Sequence, residues 1–202
     1  MTRKSITLSL ACATLGVLAF AQVAQSQTMY GPSFGLSQPL SHTREFADDL
    51  SLRNLSGDLR VMLGGRTSLG ALVGWHVFHE QEELQSAVPG TTATATGLQY
   101  RTVNAVPLMV SAHRYFGDAL TRRFYIGAGA GATYTKTRLD VGILGSDADE
   151  WGFTVAPEIG YMRPFRGSAE LLFSAKYLWT SGDLGAQALV FGFGIMSWPF
   201  LS

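Results

Sequence analysis

The sequence predicts an all-β fold: an eight-stranded antiparallel up-and-down transmembrane β-barrel. Three observations carry that expectation. The stretch Phe124 to Thr137, FYIGAGAGATYTKT, alternates with a period of two over fourteen residues. That exceeds the roughly five or six residues of an ordinary strand and suffices for the roughly nine to eleven of a tilted membrane strand. Further segments alternate in the same way, bringing the total to eight, an even number. The connections between them run alternately longer and shorter, as when tight turns lie on one side of a membrane and larger loops on the other.

The N-terminus sets the compartment. Arg3 and Lys4 precede an apolar run from Leu8 to Ala21, and Ala24 and Ser26 supply the small residues of a signal-peptidase site. Residues 1–26 are therefore expected to be a signal peptide and 27–202 one barrel domain. The run is shorter than the roughly twenty residues a spanning helix needs. Cys12, the only cysteine, falls within it, so the mature chain is expected to hold no disulfide and no thiolate metal site. Without Arg3 and Lys4 the chain carries 13 basic and 15 acidic residues, a net charge of minus two. No basic patch points to nucleic acid.

In chain order, the first strand is read at Met29 to Ser37, with Tyr30, Phe34 and Leu36 opposite Gly31, Ser33, Gly35 and Ser37. A polar loop follows over 38–54, with one helical turn expected at Thr43 to Leu50. Leu55 to Leu63 is the second strand, Gly64 to Thr67 a tight turn, and Ser68 to Phe78 the third strand. Residues 79–97, acidic and then rich in Thr, Ala and Gly, are expected to form a second long loop. Leu98 to Phe116 is the fourth strand, where Pro107 cannot donate to a ladder and predicts a bulge or irregular pairing.

A short connection at 117–122 leads to the fifth strand, with Phe124, Ile126, Ala128, Ala130, Ala132 and Tyr134 on one face and Gly127, Gly129 and Gly131 on the other. A third loop is expected at 142–150, the sixth strand at Trp151 to Phe165 and a turn at 166–168. Ala169 to Thr180 is the seventh strand, 181–186 a loop, and Gln187 to Phe200 the eighth. Trp198 and Phe200 have the opposite parity from Leu189 to Ile195, which implies a bulge or an early strand end near Ser197.

The two faces differ in kind. Greasy positions hold almost no ionised residue in the central parts of the second to eighth strands, and Trp75, Tyr134, Trp151, Tyr161, Tyr177 and Trp179 gather near strand ends, as in an aromatic girdle around a lipid-facing band. Asp58, Arg60, Arg101, Glu158, Glu170 and Lys176 fall on the opposite face, with His76 and His113. A barrel of about eight strands leaves a lumen that side chains fill. Buried charges must pair to offset desolvation. The three acids and three bases are therefore expected to form a charged plug.

The segments GWHVFHE (Gly74 to Glu80), VPLMVSAHRYF (Val106 to Phe116), YIGAGAGATY (Tyr125 to Tyr134), WGFTVAPEIGY (Trp151 to Tyr161) and FGFGIMSWPF, in this order and spacing, resemble the small outer-membrane β-barrel proteins of the OmpX/OmpA/OmpW type. The resemblance implies the cell outer membrane, reached through the periplasm. It also implies contact with outer-membrane lipid and lipopolysaccharide, insertion by the barrel-assembly machinery and a monomeric state. Two departures stand out: Phe200 is followed by Leu201 and Ser202 where family members often end on phenylalanine, and no peptidoglycan-binding domain follows the barrel.

No enzyme is expected. Lipid-deacylating barrels need a His and Ser pair with an acid. His79 beside Glu80 is the sole candidate by position. Glu80, Glu82 and Glu83, and Asp147, Asp149 and Glu150, read as solvated loop carboxylates and not as a metal site. Gly127 to Gly131 lies within a strand, which excludes a phosphate loop. No cofactor is expected. The reading is a structural or surface-interaction role through extracellular loops. A narrow channel for small solutes and a soluble lipocalin-like binding barrel are the alternatives.

Overall fold

A computed structural model describes residues 28–87, 94–118, 122–141 and 144–198. Alternating segments become eight strands: β1 (Thr28–Pro39), β2 (Ser51–Met62), β3 (Thr67–Ala87), β4 (Thr94–Asp118), β5 (Arg122–Val141), β6 (Leu144–Arg166), β7 (Ala169–Thr180) and β8 (Gln187–Ser197). One short helix, α1 (Ser41–Phe46), lies between β1 and β2. Each strand pairs antiparallel with the next, and β8 pairs with β1 to close the barrel.

Register fixes the barrel's size. Hydrogen-bonded partners followed once around, from Tyr115 through Tyr125, Gly160, Ser174, Gly192, Gly35, Asn54 and His76, return to β4 at Ala105, ten residues from the start. With ordinary strand spacing and rise, that stagger over eight strands tilts them by roughly 40° and sets a radius of roughly 8 Å.

Prolines mark local lapses in the ladder. Pro107 keeps its pairing with Thr133 of β5, while towards β3 the pairs jump from Val73–Leu108 to His76–Ala105 with no change of register. The irregularity expected at Pro107 is thus a gap and not a bulge. Pro32 and Pro157 leave matching gaps, in β1–β8 and β6–β7. True register shifts lie at Gly35/Ser37 and Pro164/Arg166.

The outer wall is apolar and the interior polar in part, the reverse of a soluble barrel. Phe124 and Ile126 are more than half exposed, whereas Tyr125 between them is 1% exposed. On β5 the outward residues from Phe124 to Tyr134 span ten residues, and on β6 those from Tyr161 to Trp151 span ten more. At this tilt ten residues rise about 25 Å, the height of an outer-membrane barrel's apolar band. No ionisable side chain other than tyrosine faces outward within it among the described residues of β5 and β6.

Two expected loops are strands. Residues 79–87 continue β3 and 94–97 begin β4, paired as far as Ala87 with Thr94, and β5–β6 pairing runs on to Val141 with Leu144 in the segment read as a third loop. Residues 146–149 of β6 are all exposed, and Arg138 to Asp140 of β5 are exposed or half-buried, so the alternation by which strands are recognised is missing there. The helical turn expected at Thr43 to Leu50 is α1, which begins two residues earlier and ends four residues earlier. β8 ends at Ser197 without a bulge, and Trp198 turns inward. The expected signal peptide and Phe200 lie outside the described residues.

The glycines of β5 are unequal. A Cβ on Gly131 would lie 2.0 Å from the Leu108 carbonyl oxygen, whereas one on Gly129 would make ordinary contact, 3.4 Å from Met109. Gly131→Ala should destabilise the barrel by about 1–3 kcal/mol and Gly129→Ala by less than 1. On the outward face Ala130→Arg should cost about 2–4 kcal/mol at the bilayer midplane. Urea-dependent refolding into lipid vesicles measures all three.

Candidate functional site in the barrel lumen

Inward-facing positions of all eight strands meet within a narrow radius, so the lumen is a stack of side-chain layers. At the short-turn end, Met29, Met62, Met162, Met196 and Leu172 pack with Tyr115, Tyr125 and Trp198. Glu170 receives a hydrogen bond from Trp198 Nε1 at 3.1 Å and pairs with Arg123, whose guanidinium lies 5.2 Å from the Tyr115 and Trp198 ring centres. The base is therefore closed by an ion pair set among rings.

Above it stands the main charged cluster. Arg60, fully buried, donates from Nε and Nη2 to Asp58 Oδ2 at 3.0 and 2.6 Å. Its remaining donors reach Tyr115 Oη at 3.3 Å, Tyr125 Oη at 3.4 Å and Glu158 Oε1 at 3.3 Å, and the guanidinium sits 4.6 Å from the Tyr125 ring centre. Tyr125 donates to Glu158 Oε1, and Lys176 Nζ lies 3.3 Å from Glu158 Oε2. Each buried charge thus has an opposite partner, which offsets its desolvation.

Higher layers are uncharged. Leu72, Met109, Ala156 and Leu178 pack together, and Thr133, Thr154 and Thr180 form a hydroxyl ladder with steps of 2.6 and 3.0 Å. His76 Nδ1 meets Asn54 Oδ1 at 3.0 Å. Near the loop end Phe78, Val103, Ala188 and Val190 pack with Ala47 and Phe46 of the α1 segment. Thr43 on α1 accepts from the Gln187 amide at 2.8 Å and ties the helix to β8. A pocket of about 280 Å³ opens there between Phe46, Val103, Thr137 and Leu184.

Of the six expected lumen charges, Asp58, Arg60, Glu158 and Lys176 come together, and Glu170 pairs separately with Arg123. Arg101 stands apart: β4 runs higher than expected, and Arg101 lies in its projecting part, with Nη2 3.4 Å from Gln99 Oε1. Arg123 precedes Phe124, where the fifth strand is expected to begin, and so is absent from the expected lumen charges. Its parity with Tyr125 is the signal that would have found it.

No protein-family model matches the chain, and no curated protein does. Among solved structures, Neisserial surface protein A aligns with a TM-score of 0.51 at 11% identity, covering 85% of this chain and 96% of that one. The fold is that of a small outer-membrane β-barrel. OprG from Pseudomonas aeruginosa aligns with a TM-score of 0.48 at 14% identity over 85% of this chain and 95% of its own. Ail of Yersinia pestis does so with 0.46 at 11% over 85% and 97%.

On the barrel's outer wall the expected girdle residues occupy two levels. Tyr161 belongs to the lower one, packing against Phe124 (4.9 Å between ring centres) and Phe173 (6.4 Å). Trp75, Tyr134, Trp151, Tyr177 and Trp179 stand towards the loop end, with Tyr134 and Trp151 in contact at 5.4 Å. Phe116, Phe124, Tyr161, Phe173, Phe193 and Phe34 are successive ladder partners on six strands, so the tilt makes the aromatic belt a climbing spiral.

A Ser–His–carboxylate arrangement does occur in the barrel. Ser68 Oγ lies 3.3 Å from His113 Nδ1, and His113 Nε2 lies 4.0 Å from Glu158 Oε2. Ser68 is also 3.1 Å from Tyr115 Oη and wholly buried, so no substrate carbonyl can approach it. His79 stacks on Tyr100 and meets Thr102 Oγ1 at 3.1 Å. On the outside Lys136 Nζ pairs with Asp147 at 3.1 Å and Arg138 with Asp140 at 2.8 Å. Hydrogen bonds donated to these carboxylates raise the Lys136 and Arg138 pKa values above their usual ranges.

Arg60→Met should destabilise the barrel by about 3–5 kcal/mol, because Asp58 loses its buried partner and Glu158 one of its two. Adding Asp58→Asn should restore part of that loss, since Glu158 keeps Lys176. Equilibrium unfolding of the single and double variants in detergent micelles measures both.

Proposed function

We propose that this chain is an integral outer-membrane protein with a closed lumen, acting at the cell surface through the part of its sheet that projects beyond the membrane. One observation carries the reading. β3, β4, β5 and β6 outlast their neighbours as one four-stranded wall, since β2–β3 pairing stops at Asn54–His76 and β6–β7 pairing at Thr154–Thr180. Residues 79–87 of β3 and 144–152 of β6 thus present sheet edges with no ladder partner among the described residues. Such an edge can accept an extended segment of another protein by main-chain hydrogen bonding.

The apolar outer band and its aromatic rims support the membrane setting, and the short turns, the start of β1 and the end of β8 then belong on the periplasmic side. The paired charges around Arg60 and the apolar layers on either side support a lumen that does not conduct. A channel reading would need a continuous polar path, and Leu72, Met109, Ala156 and Leu178 interrupt it.

Three measurements check this. A single cysteine at Ser146 in the mature chain should react with a membrane-impermeant maleimide on intact cells, whereas one at Gly167 should not. Replacing residues 80–100 and 139–148 by short turns should abolish adherence of expressing cells to protein-coated surfaces while heat-modifiable gel mobility persists; unchanged adherence refutes the surface role. In planar bilayers the intact protein should give no steady conductance.

A further inference from the structure

Charge is distributed unequally between the two ends. At the loop end acids and bases intermingle, and Lys136 and Arg138 are engaged by Asp147 and Asp140. At the short-turn end the described, exposed charges are Arg66, Arg114, Arg163 and Arg166. The carboxylate described there, Glu170, is turned inward and bound to Arg123. Among the described residues no ion pair involves any of the four exposed arginines. Arg114 is steadied by a 2.9 Å hydrogen bond to Thr67 Oγ1, which leaves the rest of its guanidinium free to meet a ligand.

Position says what that ligand is. Arg114 and Arg163 have the outward parity of their strands, so they face sideways to the surrounding medium and not down the barrel axis. Phe116 and Phe165, 49% and 64% exposed, stand two residues beyond them in sequence, and Tyr161 stands two residues before Arg163. Arginine beside exposed aromatic rings suits a bilayer interface, where rings rest at headgroup level and a guanidinium binds phosphate through paired donors.

We infer that Arg66, Arg114, Arg163 and Arg166 form a collar that binds the phosphates of anionic phospholipids in the periplasmic leaflet. This rests on the membrane orientation proposed above. A soluble acidic partner would need the charges aimed along the axis, and lipopolysaccharide phosphates would meet the opposite rim. The collar holds the barrel at a fixed depth by gripping headgroups at the lower edge of its apolar band.

The test uses the full mature protein in nanodiscs of mixed phosphatidylglycerol and phosphatidylcholine, with native mass spectrometry of the lipids retained after release from the disc. The wild-type protein should enrich phosphatidylglycerol over the supplied ratio by roughly threefold or more, since each basic residue near a membrane surface favours anionic lipid. Rising salt should reduce the enrichment. The Arg66→Gln, Arg114→Gln, Arg163→Gln, Arg166→Gln variant should return to the supplied ratio, while the Arg53→Gln, Lys136→Gln, Arg138→Gln variant should keep the enrichment.

Equal retention by the wild-type and collar variants, or loss in the loop-end variant alone, overturns the collar. Heat-modifiable mobility is read on every sample. Should the wild-type protein lack it, the membrane-barrel reading itself fails; should only the collar variant lack it, the wild-type salt titration decides, and an enrichment indifferent to salt overturns the proposal.

Discussion

The pairing of β8 with β1 closes the sheet and, through a ten-residue stagger, fixes how wide the closed sheet can be. A membrane interior offers no water to unpaired backbone groups, so only such closure lets strands cross it. Once the radius is set near 8 Å, the volume inside is set too, and side chains from all eight strands must fill it without voids or clashes. The glycines follow from this. A Cβ at Gly160 would lie 2.3 Å from the Tyr125 ring, and one at Gly127 2.3 Å from His113. The small residue on one strand is where the large residue of the next finds room.

The same confinement explains why the charges sit where they do. Arg60 has donors for two carboxylates and two phenols, and a guanidinium keeps its charge even when buried. Asp58 and Glu158 approach it from different strands, so the cluster joins β2, β4, β5, β6 and β7 across the lumen. Trp198 and Arg123 perform a similar closure at the base, where Glu170 holds both. Methionine, flexible and polarisable, fills the irregular gaps between these two polar sites.

Much of this was legible because a barrel in lipid writes its two faces into the sequence with a period of two. Strand number, order and face followed from parity alone, down to Asp58 and Arg60 pointing inward and Leu59 outward. What parity omits is depth. Arg101 and Lys176 share a face, yet one stands in the projecting wall and the other beside Glu158, because height depends on stagger and on strand length. Strand ends beyond the apolar band leave little trace for a related reason: residues 146–149 of β6 are exposed on both faces and show no alternation. The Ser68–His113 contact lies between residues 45 apart and depends on the register of β3 against β4.

The projecting wall raises a problem that the barrel below it avoids. In the membrane setting proposed above, closure removes edges within the bilayer, whereas β3 and β6 regain them beyond it, where an unprotected edge invites pairing with any strand, including a copy of itself. On β6 that edge carries Asp147, Asp149 and Glu150 in close succession, and Ser181 and Leu184 cover its lower part by bonding to Phe153 and Glu150. Asp147 is engaged by Lys136 and Glu150 by the Leu184 amide, which leaves Asp149 to set the charge offered along the edge. Under the surface role proposed above, two copies of this edge would set like charges against each other at Asp149, whereas a segment carrying lysine or arginine would meet an opposite charge there.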